Sequence, residues 1–243
     1  IIAEQKKEVE HQKEIVEEKQ TEILDSITYA KRIQEAILPP TRLVKSWLPD
    51  SFVLYKPKDI VAGDFYWLEK MENKVLFAAA DCTGHGVPGA FMSMLGIGFL
   101  NEIVIENGII NGPKILELLR AKIIKALEQK GAEYQQKDGM DLALCIWDKT
   151  DNMLEFTGAN NALYIMRHNE KAVPTDFDKA ERIEPFDWTI IEIAPNKMPV
   201  GFHSEEKQDF ISQRIQLLAD DRLITFTDGF ADQFGGEKGK KLK

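Results

Sequence analysis

Val75-Leu76-Phe77-Ala78-Ala79-Ala80-Asp81-Cys82-Thr83-Gly84-His85-Gly86 decides how the chain is read. An unbroken apolar run ends in an acid, two glycines bracket a histidine, and Val87-Pro88-Gly89 leads into Ala90-Phe91-Met92-Ser93-Met94-Leu95. This order predicts a buried strand, a tight polar turn and a helix, with the acid at the carboxyl end of the strand. A rigid strand followed by an exposed loop commonly presents functional groups. The plainer alternative is a strand-to-helix turn with an incidental aspartate.

Working outward, residues 51–55 read as a strand and Lys56-Pro57-Lys58-Asp59 as a loop. Residues 60–68 are β-rich with Gly63-Asp64 in their middle, and Met71-Glu72-Asn73-Lys74 turns the chain into the opening strand. An acid inside an apolar strand is costly unless it is paired or holds a metal; otherwise Asp64 is a bulge acid facing water. Helical periodicity runs from Ala90 to about residue 105, and from Pro113 to about residue 129. The second helix puts Ile115, Leu116, Leu119, Ile123 and Leu127 on one face, with the proline in its first turn.

Residues 130–137 read as a polar loop, and Asp138-Gly139-Met140-Asp141 leads into a strand at 142–147. Strands follow at 153–157 and 162–167, separated by Gly158-Ala159-Asn160-Asn161. Residues 168–188 are polar and loop-like, before a short strand at 189–193. A strand at about 210–217, a turn at Asp220-Asp221 and a buried strand at 223–227 ending in Asp228-Gly229 complete the reading. Antiparallel strands with an inserted helical pair point to an α+β domain with helices packed on sheet. No internal repeat is visible.

Residues 1–40 form a separate unit. They carry no glycine, and Ile2, Val9, Val16, Ile23, Ala30 and Ile37 recur every seven residues. That is one seam of a heptad repeat, but the second seam is polar, with Gln5, Gln12, Lys19 and Ser26 ahead of Ile33. The expectation is a long helical linker pairing as a weak parallel coiled coil, hence a homodimer, against the alternative of a solvated single helix. Pro39-Pro40 ends it. Residues 41–243 then make the compact domain.

The 243 residues are 44% hydrophobic and 29% charged, which suits a soluble core. A net charge of -9 argues against a nucleic-acid partner. The two cysteines, Cys82 and Cys145, give neither a disulfide framework nor a metal-binding pair, so a reducing cytoplasmic compartment is expected. No apolar run is read as approaching the ~18 residues of a spanning helix, so no membrane insertion is expected. The Ile1-Ile2 start and the lysine-rich end read as cuts in a longer protein.

Asp64 follows Gly63, Asp81 precedes the glycine turn and Asp228 precedes Gly229, and Asp81 and Asp228 each end an apolar strand. If those strands meet at one end of a sheet, the carboxylates cluster, repel and raise each other's pKa unless a cation neutralises them. Ligation by oxygen alone favours hard ions, Mg²⁺ or Mn²⁺.

Five motifs, in order, resemble the PPM family of metal-dependent serine/threonine phosphatases in its SpoIIE-like, RsbU-like bacterial branch. They are Ala30-Lys31-Arg32-Ile33-Gln34-Glu35-Ala36-Ile37-Leu38-Pro39, Gly63-Asp64-Phe65-Tyr66, Asp81-Cys82-Thr83-Gly84-His85-Gly86, Asp138-Gly139-Met140-Asp141 and Thr227-Asp228-Gly229. The resemblance spans about residue 26 to the end. It implies a four-layer αββα sandwich of two antiparallel sheets flanked by helices, preceded by the long N-terminal helix.

It also implies phosphoserine or phosphothreonine hydrolysis by a water that two Mn²⁺ or Mg²⁺ ions activate. Asp81 would bridge the ions, the Cys82 carbonyl and Asp64 would serve one of them, and Asp228 the other. His85 is a phosphate contact or leaving-group acid, unless it only braces the turn. Lys56 and Lys58 steer phosphate or belong to a solvated loop, and Asp138 and Asp141 are read as loop-positioning residues. The implied substrate is a phosphorylated STAS-type anti-anti-sigma protein, under an upstream sensor domain.

The chain departs from the family pattern in two places. A further metal aspartate in an Asp-Asp-x-Thr context is missing, and Asp220 and Asp221 cannot replace it. Gly158-Ala159-Asn160 stands where other members have Gly-Asp-Ser, so a third metal is not expected there. Weakened metal binding and low activity follow for this fragment. The alternatives are a catalytically impaired scaffold that only binds a partner, and a small-phosphoester hydrolase.

Overall fold

In the computed structural model, alternate residues of the opening apolar run face two different cores, and this alternation generates the layers. The structure describes residues 2–128, 138–171, 179–183, 185–203, 208–229, 232, 234–235 and 240–241. The chain runs α1 (Ile2–Ile37), α2 (Thr41–Trp47), β1 (Phe65–Met71), β2 (Lys74–Cys82) and α3 (Gly86–Asn101), which continues as a π-helical turn, Glu102–Glu106. Then come α4 (Gly112–Ala126), β3 (Gly139–Asp148), β4 (Met153–Ala159), β5 (Leu163–His168), β6 (Lys179–Ile183), β7 (Trp188–Ile193) and β8 (Val200–Gly201). The strands β9 (Gln213–Gln216), β10 (Arg222–Ile224), β11 (Phe234–Gly235) and β12 (Lys240–Lys241) follow.

Among the described residues two antiparallel sheets carry the domain. One has the order β1-β2-β3-β4-β9 with β8 paired to β3; the other has the order β10-β5-β7-β6. Leu76, Ala78, Ala80 and Cys82 of β2, with Met140, Leu142, Leu144 and Ile146 of β3, face a core shared with α3 and α4. The intervening residues face the other way: Phe77, Ala143, Cys145, Leu154 and Phe156 meet Leu163, Ile165, Ile191 and Ile193 of the second sheet. A period of two on a sheet buried on both faces accounts for the near-continuous apolar character of β2 and β3. The expected two antiparallel sheets with helices and the long N-terminal helix are what the structure shows.

Asn111 caps α4 by accepting from the Lys114 amide at 3.0 Å, with Pro113 in the first turn as expected. The Gly86–Glu106 helix corrects one expectation. At 21 residues it is long and apolar enough, by length and composition, to cross a membrane. Half of its most apolar stretch is buried inside the protein, against β2, α1 and α4, and that burial explains its apolarity.

Other differences follow from pairing. Residues 51–55 form no strand, and Phe52, Val53 and Leu54 are exposed: a strand needs an edge to bond to, and here the segment finds none among the described residues. Residues 60–64 precede β1 rather than joining it. β6 forms inside the stretch read as loop, because the edge of the second sheet recruits polar residues that carry no apolar alternation. The strand expected to be buried at 223–227 is short, and Ile224 and Phe226 stay exposed. The loop expected at 130–137 lies outside the described residues.

Candidate functional site

The register of the first sheet lines up carboxylates. Phe65 lies opposite Ala80, and Asp81 lies opposite Asp141. Running β1 back by one residue sets Asp64 beside Asp81. Ala80 and Leu142 point to the helical core, so Asp64, Asp81 and Asp141 form a row on the opposite face, which looks toward the second sheet. Asp228 arrives from that second sheet, on the turn after β10. The Asp81 carboxyl is in hydrogen-bonding contact with both Asp228 and Asp64.

Those contacts set the electrostatics. Burial first, then the charges of Asp64 and Asp228, push the Asp81 carboxyl from its ordinary 3.8 up to about 8. Asp141 is also raised by burial, with Asp228 adding to the shift and the hydrogen bond from Asn160 opposing it. That bond is 2.8 Å from the Asn160 amide to Oδ1, and Asn160 takes a positive φ of 55° to make it. Thr227 donates to Asp64 Oδ2 at 2.6 Å, and the Tyr55 hydroxyl donates to the Asp64 carbonyl at 3.2 Å. Burial, and next the charge of Asp64, lift the Tyr55 hydroxyl to about 12.

The glycine turn is held against this row by backbone contact. A Cβ on Gly63 would lie 2.7 Å from the Gly84 carbonyl oxygen and 3.3 Å from that of Cys82. One on Gly89 would lie 2.6 Å from the same Gly84 oxygen. Gly84 itself sits at φ +89°, where a side chain is strained. Thr83 closes the other side: its amide donates to the Gly139 carbonyl at 2.9 Å, and its hydroxyl accepts from the Gly139 amide at 3.1 Å.

Of the residues singled out in the sequence, Asp64, Asp81 and Asp228 come together. The Cys82 carbonyl faces the Gly63 segment, while its buried thiol is raised, by burial before anything else. His85 lies at the N-terminus of α3, and its ring pairs with Asp59, Nδ1 to Oδ2 at 2.9 Å. Lys56 and Lys58 are exposed. Asp138 precedes β3, but Asp141 is a strand residue in the acid row, which corrects its reading as a loop-positioning residue. Asp221 is occupied by Arg167 through bonds of 2.9 and 2.7 Å, away from the acids.

Sequence reasoning missed Thr227, Asn160, Tyr55 and Asp59 as partners, and it missed Gln34. The Gln34 amide, buried in the last turns of α1, donates to the Ala62 carbonyl at 2.6 Å and accepts from the Ala62 amide at 3.0 Å. It also reaches Ser93 Oγ of α3 at 2.8 Å. The available signal was a polar residue between Ile33 and the apolar run Ala36-Ile37-Leu38.

The donor set is carboxylate and carbonyl oxygen, with no Lys or Arg paired to Asp64, Asp81 or Asp228 among the described residues. That chemistry suits a hard divalent cation, which would remove the repulsion recorded in the raised Asp81 carboxyl. The side chains are drawn onto one another rather than splayed. No group of three or more His, Cys, Asp or Glu side chains stands arranged as a metal cage among the described residues.

The family model of Stage II sporulation protein E (SpoIIE) matches residues 71–242. Among solved structures, the SiaA-PP2C domain of Pseudomonas aeruginosa superposes with a TM-score of 0.72 at 30% identity, covering 92% of this chain and 78% of that one. The PP2C phosphatase domain and regulatory fragment of SpoIIE from Bacillus subtilis gives 0.52 at 19% identity, over 71% of this chain and 43% of the other. The RsbU and RsbW domains of a Mycobacterium tuberculosis protein give 0.52 at 17%, over 73% and 42%. These last two speak for the fold alone. No curated protein matches the sequence.

Proposed function

Because the chain belongs to the SpoIIE family of PP2C-type phosphatase domains in bacterial signalling, we propose that it hydrolyses phosphoserine or phosphothreonine on a protein substrate. The observation that carries this reading is the convergence of Asp64, Asp81 and Asp228 from two sheets onto one point, with the Asp81 carboxyl pushed up to about 8. Such a cluster is costly in a fold that does not use it.

Two Mn²⁺ or Mg²⁺ ions are the proposed cofactors, with Asp81 shared between them, Asp228 on one, and Asp64 and the Cys82 carbonyl on the other. When bound, they supply an activated water and neutralise charge on the phosphoryl oxygens. The chain's own residues do the positioning. Thr227 commits Oδ2 of Asp64 and leaves its second oxygen for another partner; Tyr55 holds the same residue by its backbone. Asn160 commits one oxygen of Asp141. His85 is proposed as a phosphate contact or leaving-group acid.

The proposed substrate is a phosphorylated anti-anti-sigma protein of the STAS type. Support for it is coarse: the similar structures include a SpoIIE phosphatase domain and an RsbU domain. The proposed regulatory route is an upstream sensor acting through α1, which also pairs two copies. The exposure of Val9, Val16 and Ile23 on that helix (64%, 62% and 59%) favours pairing.

A second reading, a phosphatase-like scaffold that binds a partner without catalysis, is favoured by the lack of a splayed carboxylate cage among the described residues. One experiment separates the two: Mn²⁺-dependent phosphate release from a phosphoserine protein by the wild-type chain and by Asp81→Asn. Release by wild type and at least a 100-fold loss in the variant, on the order expected for removing an electrostatic anchor, supports the enzyme. Equal rates, or none from wild type, favour the scaffold.

A further inference from the structure

The row that crosses the end of the first sheet extends one strand beyond Asp141. The register that pairs Leu142 with Ala159 sets Asn160 beside Asp141, so Asp64, Asp81, Asp141 and Asn160 follow one another across β1, β2, β3 and β4. Asp81 stands in the middle of the three acids, with Asp64 on its β1 side and Asp141 on its β3 side. Residues directly opposite on antiparallel strands have Cα atoms about 4.5–5.5 Å apart, close enough for their carboxylates to share one cation. Asp228 comes over this row from the turn after β10, and its charge is felt by both Asp81 and Asp141.

Asn160 is built to hold Asp141 without neutralising it. Its backbone amide donates to the Asn196 carbonyl at 2.9 Å, and the Asn196 amide donates to the Gly158 carbonyl at 2.9 Å, so the turn is tied at both ends. From that turn, at φ 55°, the Asn160 side chain donates to Oδ1 of Asp141 at 2.8 Å. Oδ2 has no hydrogen-bond partner among the described residues. The chain treats a structural acid differently: Asp221 takes the Arg167 guanidinium, through bonds of 2.9 and 2.7 Å. Asp141 takes a neutral amide, which fixes one oxygen and leaves the negative charge for another partner.

Resting on the two-metal phosphatase reading above, we infer that Asp141 is a metal ligand, joining Asp81 and Asp228 around the ion on the β3 side, with Asn160 as its positioning residue. The two ions are then unequal. Three carboxylates, Asp81, Asp141 and Asp228, serve the β3-side ion, whereas two carboxylates and the Cys82 carbonyl serve the β1-side ion. Affinity of an oxygen site for a hard cation is tuned by ligand charge count. The β3-side ion is therefore the tighter of the two and the first to bind. Its ligands also come from both sheets, so its binding ties the end of one sheet to the turn that leaves the other.

The test is a Mn²⁺ titration of the whole chain, read from the paramagnetic resonance of the free ion, for wild type, Asp141→Asn, Asn160→Ala and Asp64→Asn. Wild type is expected to take up two ions of unequal affinity. Asp141→Asn is expected to weaken the tighter one at least about 100-fold, beyond the loss typical of removing a group that only orients a ligand, and to leave the weaker one in place. Asp64→Asn is expected to act on the weaker one. Asn160→Ala keeps the carboxylate and loosens its hold, so a loss of about tenfold at the tighter site is expected. Asp141→Asn removes a like charge from a crowded row at unchanged size, so in chelator it is expected to melt no lower than wild type. An Asp141→Asn chain that binds both ions with wild-type affinity overturns the inference alone, as does a loss confined to the weaker site. A wild-type chain that binds no Mn²⁺ overturns the two-metal reading and this inference with it.

Discussion

Asp81 destabilises the metal-free fold, and the sign follows from its pKa. Its carboxyl is raised in the folded chain from 3.8 to about 8, so the unfolded chain gives up the proton first. Folding stability is therefore lost progressively as pH climbs from about 4 to about 8, and the whole penalty is present above that. In chelator, Asp81→Asn is expected to melt above wild type at pH 8, with the gap closing toward pH 4. Adding Mn²⁺ is expected to raise the wild-type Tm and leave that of the variant nearly unmoved. Matching melts at pH 8 would show that the acids are not crowded as described. A second residue-scale prediction concerns Gly63→Ala, whose methyl would press on the Gly84 carbonyl at 2.7 Å. Rigid backbone on the other side leaves little to yield, so a loss of about 1–3 kcal/mol is expected in urea denaturation; an unchanged midpoint would contradict the contact.

At the scale of elements, α1 is fastened to the domain through its last turns. Gln34 is buried there, and Leu38, just past the helix end, is buried beside it. Gln34→Ala would leave the Ala62 amide unpaired in a dry site and its carbonyl with Ser93 Oγ alone, at 3.2 Å, so a cost of about 1–3 kcal/mol is expected from equilibrium unfolding. A variant as stable as wild type would mean that water takes the place of the amide. The elements legible in the sequence were those whose pattern is local: β2 with its glycine turn, α4 with Pro113, and the 36 residues of α1. What escaped depends on partners distant in sequence. Residues 51–55 have strand composition and no edge to join among the described residues, while β6 has polar composition and an edge waiting for it. Asp141 shows the same limit at the site. Nothing local separates a loop acid from a strand acid there; only its register with Asp81 places it in the row. Thr227, Asn160 and Asp59 reach their partners across 163, 19 and 26 residues, and no spacing rule encodes such bonds.

For the whole molecule, the exposed apolar stripe of α1 predicts association. Ile15 and Leu24 widen the seam of Val16 and Ile23, and all four are exposed. Introducing Val9→Glu and Val16→Glu together is expected to convert a dimer to a monomer in sedimentation, since like charges would face each other across the seam. Identical sedimentation of both chains would remove α1 as the pairing element. The backbone contact of Gly63, Gly84 and Gly89 has a consequence at this scale too. Its spacing is a gauge set by atomic radii, with no rotamer to drift and no side chain to evolve. Alignment of the acids is thereby insulated from whatever happens on the open side of α3, where Val87 and Phe91 are exposed. Those positions are free to vary while the acids beneath them keep their alignment.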